Sequence, residues 1–220
     1  MQSRLAQARR RGNRWLARRS LTAMSRPASS RHRPRQLTLR DGREVELRPV
    51  AASDAAELLQ SFARLSADAR YQRFMQHKKD LDRVALGRGV RPVAGEEFAY
   101  VATVPAADGF DIVGAARYVR AEPAPDAATD ATPDSCEFAV TVGDDWRRSG
   151  LARQLLANLV RRARRDGYRT IEGQVLADNE PMLALARRMR FKVERQPGEG
   201  SVVRIVRELC TPVRGSRRRP

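Results

Sequence analysis

Cys136-Glu-Phe-Ala-Val-Thr-Val-Gly-Asp-Asp-Trp-Arg-Arg-Ser-Gly-Leu-Ala-Arg-Gln-Leu-Leu156 decides how this chain is read. Phe138, Val140 and Val142 alternate with other residues, which predicts a strand over 136–142. Leu151, Leu155, Leu159 and Ala163 recur at helical spacing, which predicts a helix over 151–165, with Arg161, Arg162, Arg164 and Arg165 at the end where the dipole favours cations. Between them lies Arg147-Arg148-Ser149-Gly150-Leu151-Ala152, an Arg-x-x-Gly-x-Ala turn. A glycine turn that opens a helix leaves several backbone N–H groups without partners, at the positive end of the helix dipole. That combination suits a phosphate. The plain alternative is an ordinary strand-to-helix turn.

Working outward, 37–39 and 45–47 read as a hairpin around Asp41-Gly42. Ser53 or Asp54 is positioned to cap a helix that runs to about Leu65, and a second short helix is expected over 67–76. Strands are expected at 98–104 and 111–119. Residues 121–134, rich in Ala, Pro, Asp and Thr, read as a solvated connection. Gly167 ends the long helix. After it come a strand at 170–176, an Asn-led helix at 179–189 with Pro181 in its first turn, and strands at 191–194 and 202–207 around Pro197-Gly198. This order predicts a single α/β (α+β) domain over 37–212, with a mixed, mostly antiparallel sheet flanked by helices.

The net charge of +17 is unevenly spread. Residues 1–36 hold eleven Arg and no acidic residue, and 214–220 hold four Arg and none. The part between is nearly neutral, so the basicity belongs to two arms, 1–36 and 213–220, around the domain. Such an arm buries too little apolar surface to fold alone. Residues 5–21 could form a basic amphipathic helix on an anionic surface, and nucleic acid is another partner for the arms, with a steep salt dependence. Trp15 is the lone aromatic there, so no stacking platform for single strands is visible. Two cysteines, Cys136 and Cys210, without a CxxC or Cys/His cluster, argue against a zinc site or a disulfide framework, and no metal is expected. No apolar run reaches the length of a membrane span. The cytoplasm is the expected compartment, although the acid-free, Arg-rich start also overlaps a mitochondrial transit peptide.

The order strand, glycine turn, amphipathic helix, strand, Asn-led helix and strand resembles the GNAT superfamily of acyl-CoA-dependent N-acyltransferases. The likeness is carried by Glu137 to Leu156, by Leu176-Ala-Asp-Asn179 with Met182-Leu183, and by Phe191. Leu39-Arg-Asp-Gly-Arg-Glu-Val-Glu-Leu-Arg-Pro49 and Leu65-Ser-Ala-Asp-Ala-Arg-Tyr-Gln-Arg-Phe74 look closest to bacterial protein-lysine acetyltransferase domains. The resemblance implies acetyl-CoA as acyl donor and partner, and a protein lysine as acceptor in a ternary complex. It implies that Arg147, Arg148, Ser149, Gly150, Leu151, Ala152 and Arg153 hold the CoA diphosphate. Val140, Thr141 and Val142 would pair with the pantetheine arm, and Asn179 would hold the cofactor or the helix start.

Glu137 is the candidate general base, since an amine must lose a proton to attack a thioester and a carboxylate can take it. A carboxyl among apolar neighbours is costly to bury unless paired, and burial raises its pKa; a strand-end ion pair is the structural alternative. Tyr71, Arg73 and Phe74 are candidate acceptor-wall residues, with core packing and a surface ion pair as the alternative. Three departures stand out. The general-acid Tyr of many relatives falls near Ala186, the usual Gly before the closing Phe is Arg190, and Arg-Arg-Ser-Gly-Leu-Ala replaces the commoner Gln-Gly-Arg-Gly-x-Gly. Two other readings stay open: a small-molecule amine N-acetyltransferase, and a non-catalytic acyl-CoA-binding protein with nucleic-acid-binding arms.

Overall fold

The structure is a computed structural model and describes residues 33–121, 134–195 and 200–209. Most of both basic arms, the connection after Ala121 and the Pro197-Gly198 turn lie outside the described residues, as does the expected helix at 5–21. The chain order is β1 (Arg35–Thr38), β2 (Glu44–Pro49), α1 (Ala55–Ala63), α2 (Ala67–Phe74), α3 (Arg83–Gly89), β3 (Glu97–Ala106), β4 (Gly109–Arg120), β5 (Ser135–Val142), α4 (Leu151–Arg165), β6 (Thr170–Leu176), α5 (Glu180–Arg188), β7 (Lys192–Arg195) and β8 (Val202–Glu208). The strands form one sheet in the order β1-β2-β3-β4-β5-β6-β8-β7. Every pair is antiparallel except β5 with β6. The sheet is therefore mixed and mostly antiparallel, as the sequence led us to expect.

Side chains alternate across a strand, so each strand feeds two layers. Phe98, Tyr100, Ala116, Tyr118 and Phe138 join Leu151, Leu155, Leu156, Leu159 and Ala163 of α4 in the main core. Tyr118 is fully buried and donates its hydroxyl hydrogen bond to Asp166, just past the end of α4. On the other face a smaller cluster of Phe62, Leu65 and Ala69 packs with Phe74 and Leu81. The same alternation places Arg117, Glu137, Ala139 and Thr141 on the α1–α3 side, away from α4.

Three expectations change. Asp54 does not cap α1 with its side chain. It is fully buried and receives two 2.8 Å hydrogen bonds from Arg48 and one of 2.7 Å from the Ala51 N–H, because an ion pair at a strand end satisfies more groups than a cap. The second helix stops at Phe74, since Met75 takes a left-handed φ of 54° and ends the turn there. Residues 83–89, which no pattern had marked, form α3, started by Asp82, whose side chain accepts the Val84 N–H at 2.9 Å.

Two arginines occupy left-handed positions, Arg148 at φ 60° and Arg190 at φ 62°. Both stand at positions where the family pattern quoted above has glycine; the third such departure, Ala152, lies inside α4. A left-handed backbone at a residue that carries a Cβ costs about 1 kcal/mol at each position. Arg148→Gly and Arg190→Gly are each expected to raise stability by roughly 0.5–1 kcal/mol in thermal denaturation, less the added freedom of glycine in the unfolded chain.

Candidate acetyl-transfer site

The site begins where a ladder ends. β5 pairs with β4 from Cys136 opposite Arg120 to Val142 opposite Gly114. Its parallel ladder with β6 stops at Glu137 opposite Glu172. From there β6 continues beside β8 alone, up to Leu176 opposite Val202. Gly173 marks the parting point: a Cβ there would sit 3.0 Å from the Phe138 ring and 3.1 Å from the Phe138 carbonyl oxygen. The edge of β5 beyond Glu137 therefore presents strand backbone with no strand beside it, a surface on which an extended amide chain can pair.

A cavity of about 970 Å³ fills this opening. Val140, Thr141, Val142, Arg147, Arg148, Gly150, Leu151, Ala152, Arg153 and Asn179 all line it, as do Glu137, Arg73 and Phe74. Its charged lining is arginine and Lys78, with Glu137 the one carboxylate among the described residues. The cavity thus concentrates positive potential around a single acid, and positive clefts draw in anions.

The 147–153 turn forms the far wall. The Gly150 φ of 92° suits glycine alone, and it lets α4 begin directly. The hydrogen bonds of the turn are local: the Arg147 N–H donates to the Asp144 carbonyl at 3.2 Å and the Gln154 N–H to the Gly150 carbonyl at 3.1 Å. The Leu151 N–H donates to Ser149 Oγ at 3.2 Å. Among the described residues, the amides of Arg148, Ser149, Gly150, Ala152 and Arg153 find no protein acceptor. Free amides at a helix start make an anion cradle.

Two residues of the expected cradle behave differently. Ser149 is buried and does not line the cavity; its hydroxyl donates to the Trp146 carbonyl at 2.7 Å and closes the turn from within. Arg147 pairs with Asp144 at 2.8 Å, so its charge is largely committed. Asp144 also receives the Ser66 N–H at 2.8 Å and the Ser66 hydroxyl at 2.9 Å, which ties the turn to the start of α2. Burial pushes the Asp144 carboxyl up, but these hydrogen bonds and Arg147 outweigh it and hold it below its ordinary value.

α2 supplies the opposite wall. Ala69, Gln72 and Arg73 line the cavity from the i, i+3, i+4 face of the helix, with Phe74 and the residues just after it, Met75 and Gln76, beside them. Tyr71 lies off that face; it is 37% exposed and packs its ring on His77 with centroids 5.0 Å apart. The structure therefore brings Arg73 and Phe74 to the cavity and leaves Tyr71 outside it. Burial pushes the Arg73 guanidinium down to about 10, the Arg117 charge adds to this and Glu137 opposes it. Arg73 stays charged at neutral pH, and its attraction to Glu137 places the two in one electrostatic unit. Asn179 caps α5, accepting the Met182 N–H at 3.1 Å, while it lines the cavity. Ala186, near which the resemblance places a general-acid Tyr, is buried in the core, and among the described residues no tyrosine lines this cavity. Cys136 is buried, and desolvation, with Glu172 and Asp166 adding, pushes its thiol up, so it offers no thiolate nucleophile. Among the described residues no His, Cys, Asp or Glu cluster could hold a metal, and no helix is long and apolar enough to cross a membrane.

A sequence model of the acetyltransferase (GNAT) domain matches residues 44–192, which spans the parted strands, the turn and α2. The chain belongs to the GNAT acetyltransferase family. An acetyltransferase of Pseudomonas aeruginosa is 30% identical over 166 residues, covering 76% of this chain and 84% of that one. The crystal structure of the GNAT domain of S. lividans PAT superposes with a TM-score of 0.71 at 26% identity, covering 80% of this chain and 97% of that one. A Salmonella typhimurium acetyltransferase solved with its cofactor acetyl-CoA shares the fold, with a TM-score of 0.59 at 18% identity, covering 77% and 96%. This chain is thus an acetyl-CoA-dependent acyltransferase by family. Its own residues fit that donor: free amides and the guanidinium groups of Arg148 and Arg153 for phosphates, and an open strand edge for an amide-bearing arm.

Proposed function

We propose that this GNAT acetyltransferase moves an acetyl group from acetyl-CoA to a protein lysine ε-amine, by direct attack, with Glu137 as general base. The observation that carries the reading is the position of Glu137. It is the one carboxylate among the described residues lining the cavity, and it sits at the last paired position before β5 and β6 part. Bound acetyl-CoA supplies the thioester carbonyl. The free amides of Arg148, Gly150, Ala152 and Arg153 and the arginines beside them hold the diphosphate, and the free edge of Val140 to Val142 orients the pantetheine arm. Glu137, directly or through one water, takes the proton that the ammonium of the acceptor must lose. A thiolate is a fair leaving group, so the absence of a tyrosine acid from the cavity does not stop the reaction. The high pKa of Cys136 leaves no acyl-enzyme route through that thiol.

A lysine acceptor agrees with the sequence likeness over 39–49 and 65–74 to protein-lysine acetyltransferase domains. The arginine-lined approach disfavours polyamines, whose several charges would be repelled. One observation favours a small apolar amine instead. A side chamber of about 190 Å³, walled by Phe62, Leu65, Phe74, Leu81 and Leu86, adjoins the cavity through Arg73 and Arg117. Thiol release from acetyl-CoA, measured against lysine-bearing peptides and a panel of small amines, separates the two. Turnover on peptides above that on every free amine is the expected result; turnover confined to free amines would replace the lysine reading.

A further inference from the structure

Arg40 was assigned no role from sequence, yet it lines the same cavity from the β1–β2 turn. Its backbone N–H donates to the Ser149 carbonyl at 3.0 Å. Its stem lies across the start of α4: a Cβ built on Gly150 would come within 3.2 Å of Arg40 Cδ and 3.3 Å of Cγ. The hairpin turn is itself closed by Leu39 N–H to the Arg43 carbonyl at 2.8 Å, and buried Leu39 anchors it in the core. Arg43 fastens it a second time, donating to the Asp145 carbonyl at 3.0 Å with its guanidinium 4.0 Å from the Trp146 ring centroid. Arg40 is thus held over the turn by attachments on both sides, although it is distant in sequence.

The arginines around this turn divide by charge balance. Arg43 pairs with Asp41 at 2.7 Å and Arg147 with Asp144 at 2.8 Å; both hold the loop together and both are neutralised. Arg40, Arg148 and Arg153 face the cavity, and among the described residues none of the three has a carboxylate partner. Three unneutralised guanidinium groups around the free amides of Arg148, Gly150, Ala152 and Arg153, all cavity-lining residues, call for a polyanion. We infer that Arg40 is a ligand of the CoA diphosphate, delivered by the β1–β2 turn as a second wall of the phosphate site. A guanidinium offers paired donors that match phosphate oxygens, and its stem needs the side-chain-free surface of Gly150. The inference rests on the reading of 147–153 as the diphosphate cradle. It adds a reason for Gly150 beyond its φ: a Cβ there would crowd the Arg40 stem at 3.2 Å and force it to shift.

Titration calorimetry with CoA, dephospho-CoA and pantetheine tests it on the wild-type chain, Arg40→Ala and Arg40→Lys. Arg40→Ala is expected to weaken CoA and dephospho-CoA alike, by about tenfold, with pantetheine binding unchanged and Arg40→Lys intermediate. Unchanged CoA affinity in Arg40→Ala, beside a wild-type chain that binds CoA, would overturn the role of Arg40 alone. A loss for CoA but not for dephospho-CoA would move the contact to the 3′-phosphate and overturn the diphosphate assignment. An equal loss for pantetheine would make Arg40 a structural clamp only. Failure of the wild-type chain to bind CoA at all would instead defeat the reading of the cradle.

Discussion

Glu137→Gln is expected to lower turnover by about 10²–10⁴-fold, the usual range for removing a general base, while acetyl-CoA affinity stays near that of the natural chain. Glutamine keeps the size and the hydrogen-bonding reach of the side chain but cannot accept a proton at neutral pH. No second carboxylate among the described residues lines the cavity to take over. The variant also tests the neighbouring cation. Arg73 and Glu137 attract each other, so removing the negative charge leaves Arg73 under the repulsion of Arg117, which keeps its ion pair with Glu97. Raising the pH increases the free-amine fraction of any lysine acceptor, so the rate of Glu137→Gln should climb toward that of the wild type in alkaline buffer. Equal rates for the two proteins at neutral pH would remove Glu137 from the mechanism.

Asp54→Leu should be among the most destabilising single changes, at about 3 kcal/mol, near the lower end for breaking a buried ion pair because Arg48 retains 17% side-chain exposure. Asp54 is fully buried and accepts from Arg48 twice and from the Ala51 N–H once. Removing it leaves the Ala51 amide without its acceptor and Arg48 with only the Pro49 carbonyl at 3.3 Å and Glu46 at 3.8 Å, at the junction of β2 and α1. Because α1 packs on β4 and carries Phe62, the loss should loosen the α1–α3 layer that walls the site. Thermal denaturation followed by circular dichroism reads the effect. Arg48→Met with Asp54→Leu should recover part of it, since the pair is then replaced by apolar groups. A melting temperature unchanged in Asp54→Leu would show that the pair contributes no net stability.

The elements that sequence periodicity marked were those with clean patterns. The helix Leu151–Arg165 and the strand Thr170–Leu176 have the expected bounds, because each has an uninterrupted apolar period and a clear stop. α3 escaped notice because Gly87 and Gly89 lie inside a seven-residue helix and dilute its pattern, although Asp82 is a recognisable cap. Asp54 illustrates a different limit. A cap and a buried ion-pair partner look the same in sequence, and only the position of Arg48 across the turn decides between them. The turn at Gly150 was legible as a helix start with free amides. Arg40 was not legible as part of it, because its contact joins residues more than a hundred positions apart and depends on the register of β1 and β2. Tyr71 read as a wall residue beside Arg73, yet two positions along a helix turn a side chain to another face. Arg148 and Arg190 take left-handed backbone at φ 60° and 62°, which residue identity at a single position does not reveal.

The most direct measurement is a backbone amide NMR titration with acetyl-CoA. The expected result is saturable shifts that concentrate on Arg148 to Arg153, on Val140 to Val142 and on Asn179, with Arg40 responding beside Gly150. Shifts centred on another surface, or none at millimolar acetyl-CoA, would contradict the assignment of this turn and this strand edge as the acyl-donor site.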